Sequence, residues 1–104
     1  MRHELDAFFE PRSVAVIGAT PKKLTIGRET LHNIFAAEFR GKVFPVNPNY
    51  EVIHSVKCYS TVLDVPDAVD LAVIIVPKQF VKETVRQCGE KGVKGLVVIS
   101  AGFS

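Results

Sequence analysis

Ser13-Val14-Ala15-Val16-Ile17-Gly18-Ala19-Thr20 runs from small and β-branched apolar residues straight into glycine and a polar loop. An unbroken apolar run of this kind fits a parallel strand buried on both faces, its carboxyl end opening onto a loop and a helix N-terminus. That junction offers backbone N–H groups and a partial positive charge to an anion, typically a phosphate. The same strand–glycine–helix unit also occurs where the glycine only relieves crowding, so this segment alone leaves phosphate binding open.

Outward from it, strands and helices alternate. A short lead-in helix is expected at Leu5 to Phe9, and Pro11 and Arg12 separate it from the strand Ser13 to Ile17. The loop Gly18 to Ile26 carries Pro21, Lys22 and Lys23. A helix follows over Gly27 to Phe39, with Leu31, Ile34, Phe35 and Phe39 at the spacing of one buried face, and Gly41 ends it. Lys42 to Val46 is the second strand. Pro45 within it cannot donate a ladder hydrogen bond, which implies that one side is locally unpaired. Asn47-Pro48-Asn49 is a turn.

Val56 to Tyr59 reads as a short third strand, and Ser60 or Thr61 caps a brief helix ending before Pro66. Val69 to Val76 is the next strand, stopped by Pro77. Lys78 to Lys91 forms a helix with a buried stripe of Val81, Val85 and Cys88, with Phe80 beside it. Gly92 and Gly95 frame the turn into a last strand, Leu96 to Ser100. This order predicts an α/β fold: a Rossmann-like, doubly wound parallel sheet in three layers, with right-handed crossovers, as a single domain.

Composition removes several function classes. The chain has 104 residues, enough for one core and not for a second. Hydrophobic residues make up 47% and charged residues 23%, an ordinary globular balance. A net charge of +2 with no basic run argues against nucleic acid as a partner. The N-terminus lacks the apolar core of a signal peptide, and the longest apolar stretch, Leu71 to Val76, is far too short to span a membrane. Cys58 and Cys88 have neither redox-pair spacing nor a metal-site context, so free thiols in a reducing cytoplasm are the simple expectation.

Topology places a ligand. With the first strand central, the second on one side and Val69 to Val76 on the other, the chain reverses direction across the sheet, and ligands bind there at the carboxyl ends. Gly18-Ala19-Thr20, Asn47-Pro48-Asn49, Val76-Pro77-Lys78 and Ser100-Ala101-Gly102 all end at that rim. A nicotinamide dinucleotide site wants G-x-G-x-x-G and an acidic residue ending the second strand. Here only the first glycine of Gly18-Ala19-Thr20-Pro21-Lys22-Lys23 is in place, and the strand ends in Val46-Asn47-Pro48 with no carboxylate. A neutral strand end beside Lys22 and Lys23 suits a more phosphorylated ligand such as coenzyme A, with its 3′-phosphate. A merely solvated loop is the competing account of the two lysines.

Four stretches resemble one family: Phe8-Phe9-Glu10-Pro11-Arg12-Ser13-Val14-Ala15-Val16-Ile17-Gly18-Ala19-Thr20, Val43-Phe44-Pro45-Val46-Asn47-Pro48-Asn49, Val69-Asp70-Leu71-Ala72-Val73-Ile74-Ile75-Val76-Pro77, and Cys88 to Phe103. They are similar to the N-terminal CoA-binding domain of ADP-forming (NDP-forming) acyl-CoA synthetases, especially acetate–CoA ligases. The α subunit of succinyl-CoA synthetase is a more distant relative. The resemblance spans essentially the whole chain, in order. It implies that Gly18, Ala19 and Thr20 line the CoA phosphates and that Asn47 and Pro48 lie near the nucleotide end. It further implies that Val76 and Pro77 border the adenine or pantetheine, and that Ser100, Ala101 and Gly102 form the inner wall. Thr20 stands where the family usually has serine, which preserves the hydroxyl. Lys78 replaces a commoner small residue and would be an added phosphate contact.

The resemblance also implies a division of labour. The parent enzymes interconvert acyl-CoA, phosphate and ADP with acid, CoA and ATP through an acyl phosphate and a phosphorylated histidine. That histidine belongs to a following domain, and an ATP-grasp partner completes the enzyme. His3, His32 and His54 match no phosphohistidine motif, and no nucleophile–base pair, carboxylate dyad or metal site is evident. The expectation is therefore an excised or split domain that binds coenzyme A without catalysing. A stand-alone or regulatory CoA-binding module is the first alternative, and an NAD(H)-binding Rossmann protein the second.

Overall fold

The computed structural model describes residues 10–23, 25–37 and 39–99. Strand β1 (Ser13–Ile17) is buried along its whole length, as its unbroken apolar sequence requires. It pairs in parallel with β2 (Lys42–Val46) on one side and β5 (Leu71–Ile74) on the other, and β6 (Gly95–Val98) pairs with β5. The order β2-β1-β5-β6 puts β1 inside the sheet and the switch point between β1 and β5. In register, Ala15 lies between Phe44 and Ala72.

The two faces of the sheet build two cores. Val14, Val16, Val73 and Ile75 pack with Leu31 of helix α1 (Ile26–Ala36). Ala15, Ile17, Ala72 and Ile74 pack with Cys88 of helix α2 (Lys78–Lys91). A helix on each face makes the three layers expected from the sequence. At the amino ends of the strands a polar clasp holds the layers in step. The Asp70 carboxylate accepts the Arg12 N–H at 2.8 Å, while the Ser13 hydroxyl donates to the Ala68 carbonyl and accepts the Asp70 N–H.

β1, β2 and α2 have the expected bounds, but other elements differ. Helix α1 stops at Ala36, and Ala37 caps it by donating to the Asn33 and Phe35 carbonyls. Phe39 lies beyond the helix, yet still packs against the α1-side core. A Cβ on Gly41 would strike both the Phe39 ring and the Arg12 carbonyl oxygen, so that glycine makes room for them rather than ending the helix. β5 is shorter than Val69 to Val76 because Val69 and Asp70 belong to the clasp region and Val76 leaves the ladder. β6 begins at Gly95, and Ser100 lies outside the described residues. The lead-in helix expected at Leu5 to Phe9 lies outside them as well.

The segment expected to be a third strand is a small hairpin. β3 (Val52–Ile53) and β4 (Val56–Lys57) pair antiparallel around His54 and Ser55, both at positive φ (52° and 64°). Only Tyr59 reaches the main sheet, through a parallel bridge to Val46. Its N–H donates to the Pro45 carbonyl, and its carbonyl accepts the Asn47 N–H. The missing donor of Pro45 therefore faces the outer edge of β2, where no ladder is lost. Thr61 caps a single 3-10 turn, Val62–Asp64, by accepting the Leu63 N–H at 3.1 Å. On α2, Thr84 is buried where Phe80 was expected to flank the buried stripe, and Phe80 is 54% exposed.

Candidate functional site

β1, β2 and β5 end on the same rim, and the first residue past β1 ties the three together. Gly18 donates its N–H to the Val46 carbonyl at 2.8 Å and has φ of +99°. A Cβ there would lie 2.7 Å from the Ile75 carbonyl carbon and still closer to its oxygen, so only glycine fits between the strand ends. Helix α1 starts directly above this turn. A Cβ on Gly27 would strike the Gly18 carbonyl oxygen and come within 3.1 Å of the Thr20 methyl. The first turn of α1 thus stands as near the β1 loop as backbone allows.

Side chains fix the loop in that position. The Thr25 hydroxyl accepts the Arg28 N–H at 3.2 Å, capping α1, and donates to the Lys22 carbonyl at 2.7 Å. The Thr20 hydroxyl accepts the Lys22 N–H at 3.2 Å and lies 3.5 Å from the Tyr50 hydroxyl. Asn47 joins the two loops: its amide donates to the Ala19 carbonyl, and its side-chain oxygen accepts the Asn49 N–H, both at 2.9 Å. A neutral Asn can do this with one donor and one acceptor, whereas a carboxylate would lack the donor.

Above these loops lies a cleft of about 670 Å³. The structure brings Gly18, Thr20, Lys22, Asn47, Pro48, Val76 and Pro77 together in its lining. Ala19 is fully buried beneath and contributes its carbonyl. Lys23 and Lys78 are exposed and do not line the cleft, while Ser100, Ala101 and Gly102 lie outside the described residues. Sequence reading missed Tyr50 and the whole α2 side, formed by Phe80, Glu83, Thr84 and Gln87. It also missed the Thr25 cap and the Gly27 approach. A Thr two residues before a glycine and an apolar periodic run was a usable signal for the cap.

The cleft has a charge gradient. Among its described lining residues Lys22 is the cation and Glu83 the acid, and they stand on different walls. Arg86 grips Glu83 through its Nε and a terminal nitrogen, each at 2.7 Å, and that hydrogen bonding holds the Glu83 carboxyl below the usual carboxylate range. Neither thiol lines the cleft. Cys58 is buried under Asn47, donating to its carbonyl at 3.5 Å, and burial pushes its pKa up. Burial likewise pushes Cys88 up to about 11, so both thiols stay protonated at neutral pH. Among the described residues no three His, Cys, Asp or Glu side chains cluster as metal ligands. Among the described residues no helix is long and apolar enough to cross a membrane.

A family model described as the CoA binding domain matches residues 9–102. The chain belongs to the CoA-binding domain family. This CoA-binding domain is 55% identical over 102 residues to the α subunit of ADP-forming acetate–CoA ligase II from Pyrococcus furiosus, covering 95% of this chain and 21% of that protein. It is 47% identical over 102 residues to the ADP-forming acetate–CoA ligase of Methanocaldococcus jannaschii, covering 98% of this chain and 14% of that protein. Its fold superposes on the apo dinucleotide-forming acetyl-coenzyme A synthetase 1 of Ca. Korarchaeum cryptofilum with a TM-score of 0.91 at 44% identity, covering 95% of this chain and 22% of the other. A conserved hypothetical protein from Pyrococcus furiosus matches with a TM-score of 0.79 at 32% identity, over 89% of this chain and 78% of its own. The CoA-binding domain thus spans about a fifth or less of the curated ligases it matches. The resemblance carried by the four sequence stretches is borne out, as are the Rossmann-like fold and coenzyme A as the ligand class.

Proposed function

We propose that the cleft at the carboxyl ends of β1, β2 and β5 holds coenzyme A for an ADP-forming acyl-CoA synthetase that interconverts acyl-CoA, ADP and phosphate with acid, CoA and ATP. The observation that carries this reading is the closed junction of Gly18, Gly27 and Thr25. It sets the first turn of α1, capped by Thr25, over the β1 loop, where a ligand phosphate gains the helix dipole. Lys22 adds a cation on the same wall. Asn47 is engaged in tying the loops and presents no carboxylate to a ribose, which separates this site from a nicotinamide dinucleotide fold.

In this reading the domain binds and orients. Among the described lining residues no side chains form a nucleophile–base pair, and the acyl phosphate and phosphohistidine steps are assigned to other domains or subunits, including an ATP-grasp partner. Calorimetry on the 104-residue chain tests it. Coenzyme A should bind saturably, dephospho-CoA more weakly, and Lys22→Ala should reduce the affinity for both by several-fold. Absence of heat from coenzyme A at millimolar concentration, or binding of NADH in its place, would reject the reading.

The domain-sized relative from Pyrococcus furiosus favours a second reading, a stand-alone CoA-binding module. Binding would then be the same, but the native protein carrying this domain would form no acyl-CoA from acid, CoA and ATP.

A further inference from the structure

Away from the cleft, helix α1 and the tip of the β3–β4 hairpin bring two imidazoles together. The His32 and His54 ring centroids lie 6.4 Å apart, with the ring planes tilted by 47°. Both residues are exposed, and neither lines the cleft. Phe35, one turn beyond His32 on α1, meets the His54 ring edge-on at 6.2 Å and so fixes its position. The backbone at the apex is left-handed, with φ of 52° at His54 and 64° at Ser55, values that Asn and Gly meet more readily. An imidazole at this apex therefore costs strain and gains no burial.

The cations on these two elements are otherwise engaged. On α1, Arg28 pairs with Glu29 at 3.3 Å. On the hairpin, Lys57 is drawn over the Tyr59 ring, 5.2 Å from its centroid. Neutral imidazole is a ligand for borderline divalent metals, zinc among them. With Zn–N bonds of about 2.0–2.1 Å and each ring nitrogen about 1 Å from its centroid, two imidazoles on one ion place their centroids up to about 6 Å apart. The pair stands at that limit, so small side-chain rotations bring both rings onto one ion. Among the described residues no third His, Cys, Asp or Glu joins them, which leaves water for the other positions of a tetrahedral sphere.

We propose that His32 and His54 form a two-histidine site for a divalent ion of the zinc class, a clip that fastens the β3–β4 hairpin to α1. The hairpin is inserted between Tyr50 and Ser60, which both line the cleft, and α1 begins over the β1 loop. The clip thus joins two elements that carry cleft walls without entering the cleft, and it is independent of which ligand the cleft holds.

The chain holds three histidines, so His3→Ala leaves His32 and His54 as its only imidazoles. Zinc is titrated into that variant against a chromophoric chelator. One zinc per chain should bind at micromolar concentration, and the thermal midpoint should rise with zinc and fall back with EDTA. His32→Gln and His54→Asn each remove one ligand and keep a residue the backbone accepts, a helix former and a left-handed turn residue, and circular dichroism without zinc checks their folding. Two rings on one ion act bivalently, so either change should weaken zinc by about 100-fold or more and abolish the rise in midpoint. The imidazole NMR signals of both rings should shift over the same zinc range. Binding that survives one of the two changes would put the ion on a single ring and overturn the clip, as would the absence of saturable binding below millimolar zinc. Binding without a rise in midpoint would equally overturn the bridge between the hairpin and α1.

Discussion

Replacing Gly18 and Gly89 by alanine, one at a time, should move stability in opposite directions. At Gly18 the backbone has φ of +99°, and the added Cβ would lie 2.7 Å from the Ile75 carbonyl carbon, closer still to the oxygen. The neighbour is backbone and cannot rotate away. It is also anchored, because Ile75 donates to the Ile17 carbonyl at 2.7 Å while Gly18 donates to Val46 at 2.8 Å. Forcing an L-residue into left-handed backbone costs about 1–2 kcal/mol, and overfilling a packed site about 1–3 kcal/mol more. The expected loss is therefore about 2–5 kcal/mol, against a total stability of about 5–15 kcal/mol for a domain of this size. At about 4–8 °C per kcal/mol, the melting midpoint should fall by about 10 °C or more. Gly89 is exposed within α2 and has nothing within 4 Å of an added Cβ. Alanine there removes a helix-interior glycine and should add about 0.5–1 kcal/mol. Thermal and urea unfolding followed by far-UV circular dichroism measure both. A Gly18→Ala chain melting within 2–3 °C (about 0.5 kcal/mol) of the parent would refute the packing argument.

Two further outcomes follow from other parts of the molecule. Ser55→Gly relieves the positive φ of 64° in the β3–β4 turn and should raise the melting midpoint by a few degrees, about 0.5–1 kcal/mol; a lowered midpoint would count against a left-handed turn there. Cys88 is fully buried, and burial pushes its pKa up to about 11. The unfolded thiol ionises first, so stability is intact below its ordinary value of 9.0 and falls as pH rises from there to about 11, by about 2–3 kcal/mol in all. Urea midpoints at neutral and alkaline pH, compared with Cys88→Ala, should show a shallower alkaline loss in the variant; an identical slope would rule out Cys88 as its source.

β1, β5 and α2 were legible because their runs give way to Gly18, Pro77 and Gly92, which the backbone cannot ignore. Phe39 misled because a periodic apolar residue looks the same whether it ends a helix or packs on the same face from a loop. The β3–β4 hairpin was hidden because His54-Ser55 lacks the Asn or Gly that usually marks left-handed turn residues. The rim loops could be placed since strand order alone decides which ends converge. Lys22 and Lys23 are adjacent in sequence, yet only Lys22 lines the cleft, a distinction that depends on how the Thr20 and Thr25 hydroxyls fold the loop. Phe80 resembled a core residue by composition. What turns it to the cleft is that Thr84, polar but satisfied within the helix, takes the buried position.

Pro45 makes the sheet unequal at its two sides. The outer edge of β2 offers no N–H at Pro45 and is further occupied by Tyr59, so a foreign strand finds little to pair with. Among the described residues β6 has no such guard. Among the described residues β5 is its one neighbour, and Val97 and Val98 are 39% and 47% exposed. Among the described residues the sheet is accordingly asymmetric, its β6 edge open to backbone pairing where its β2 edge is not. The cleft at the carboxyl ends of β1, β2 and β5 lies away from that edge.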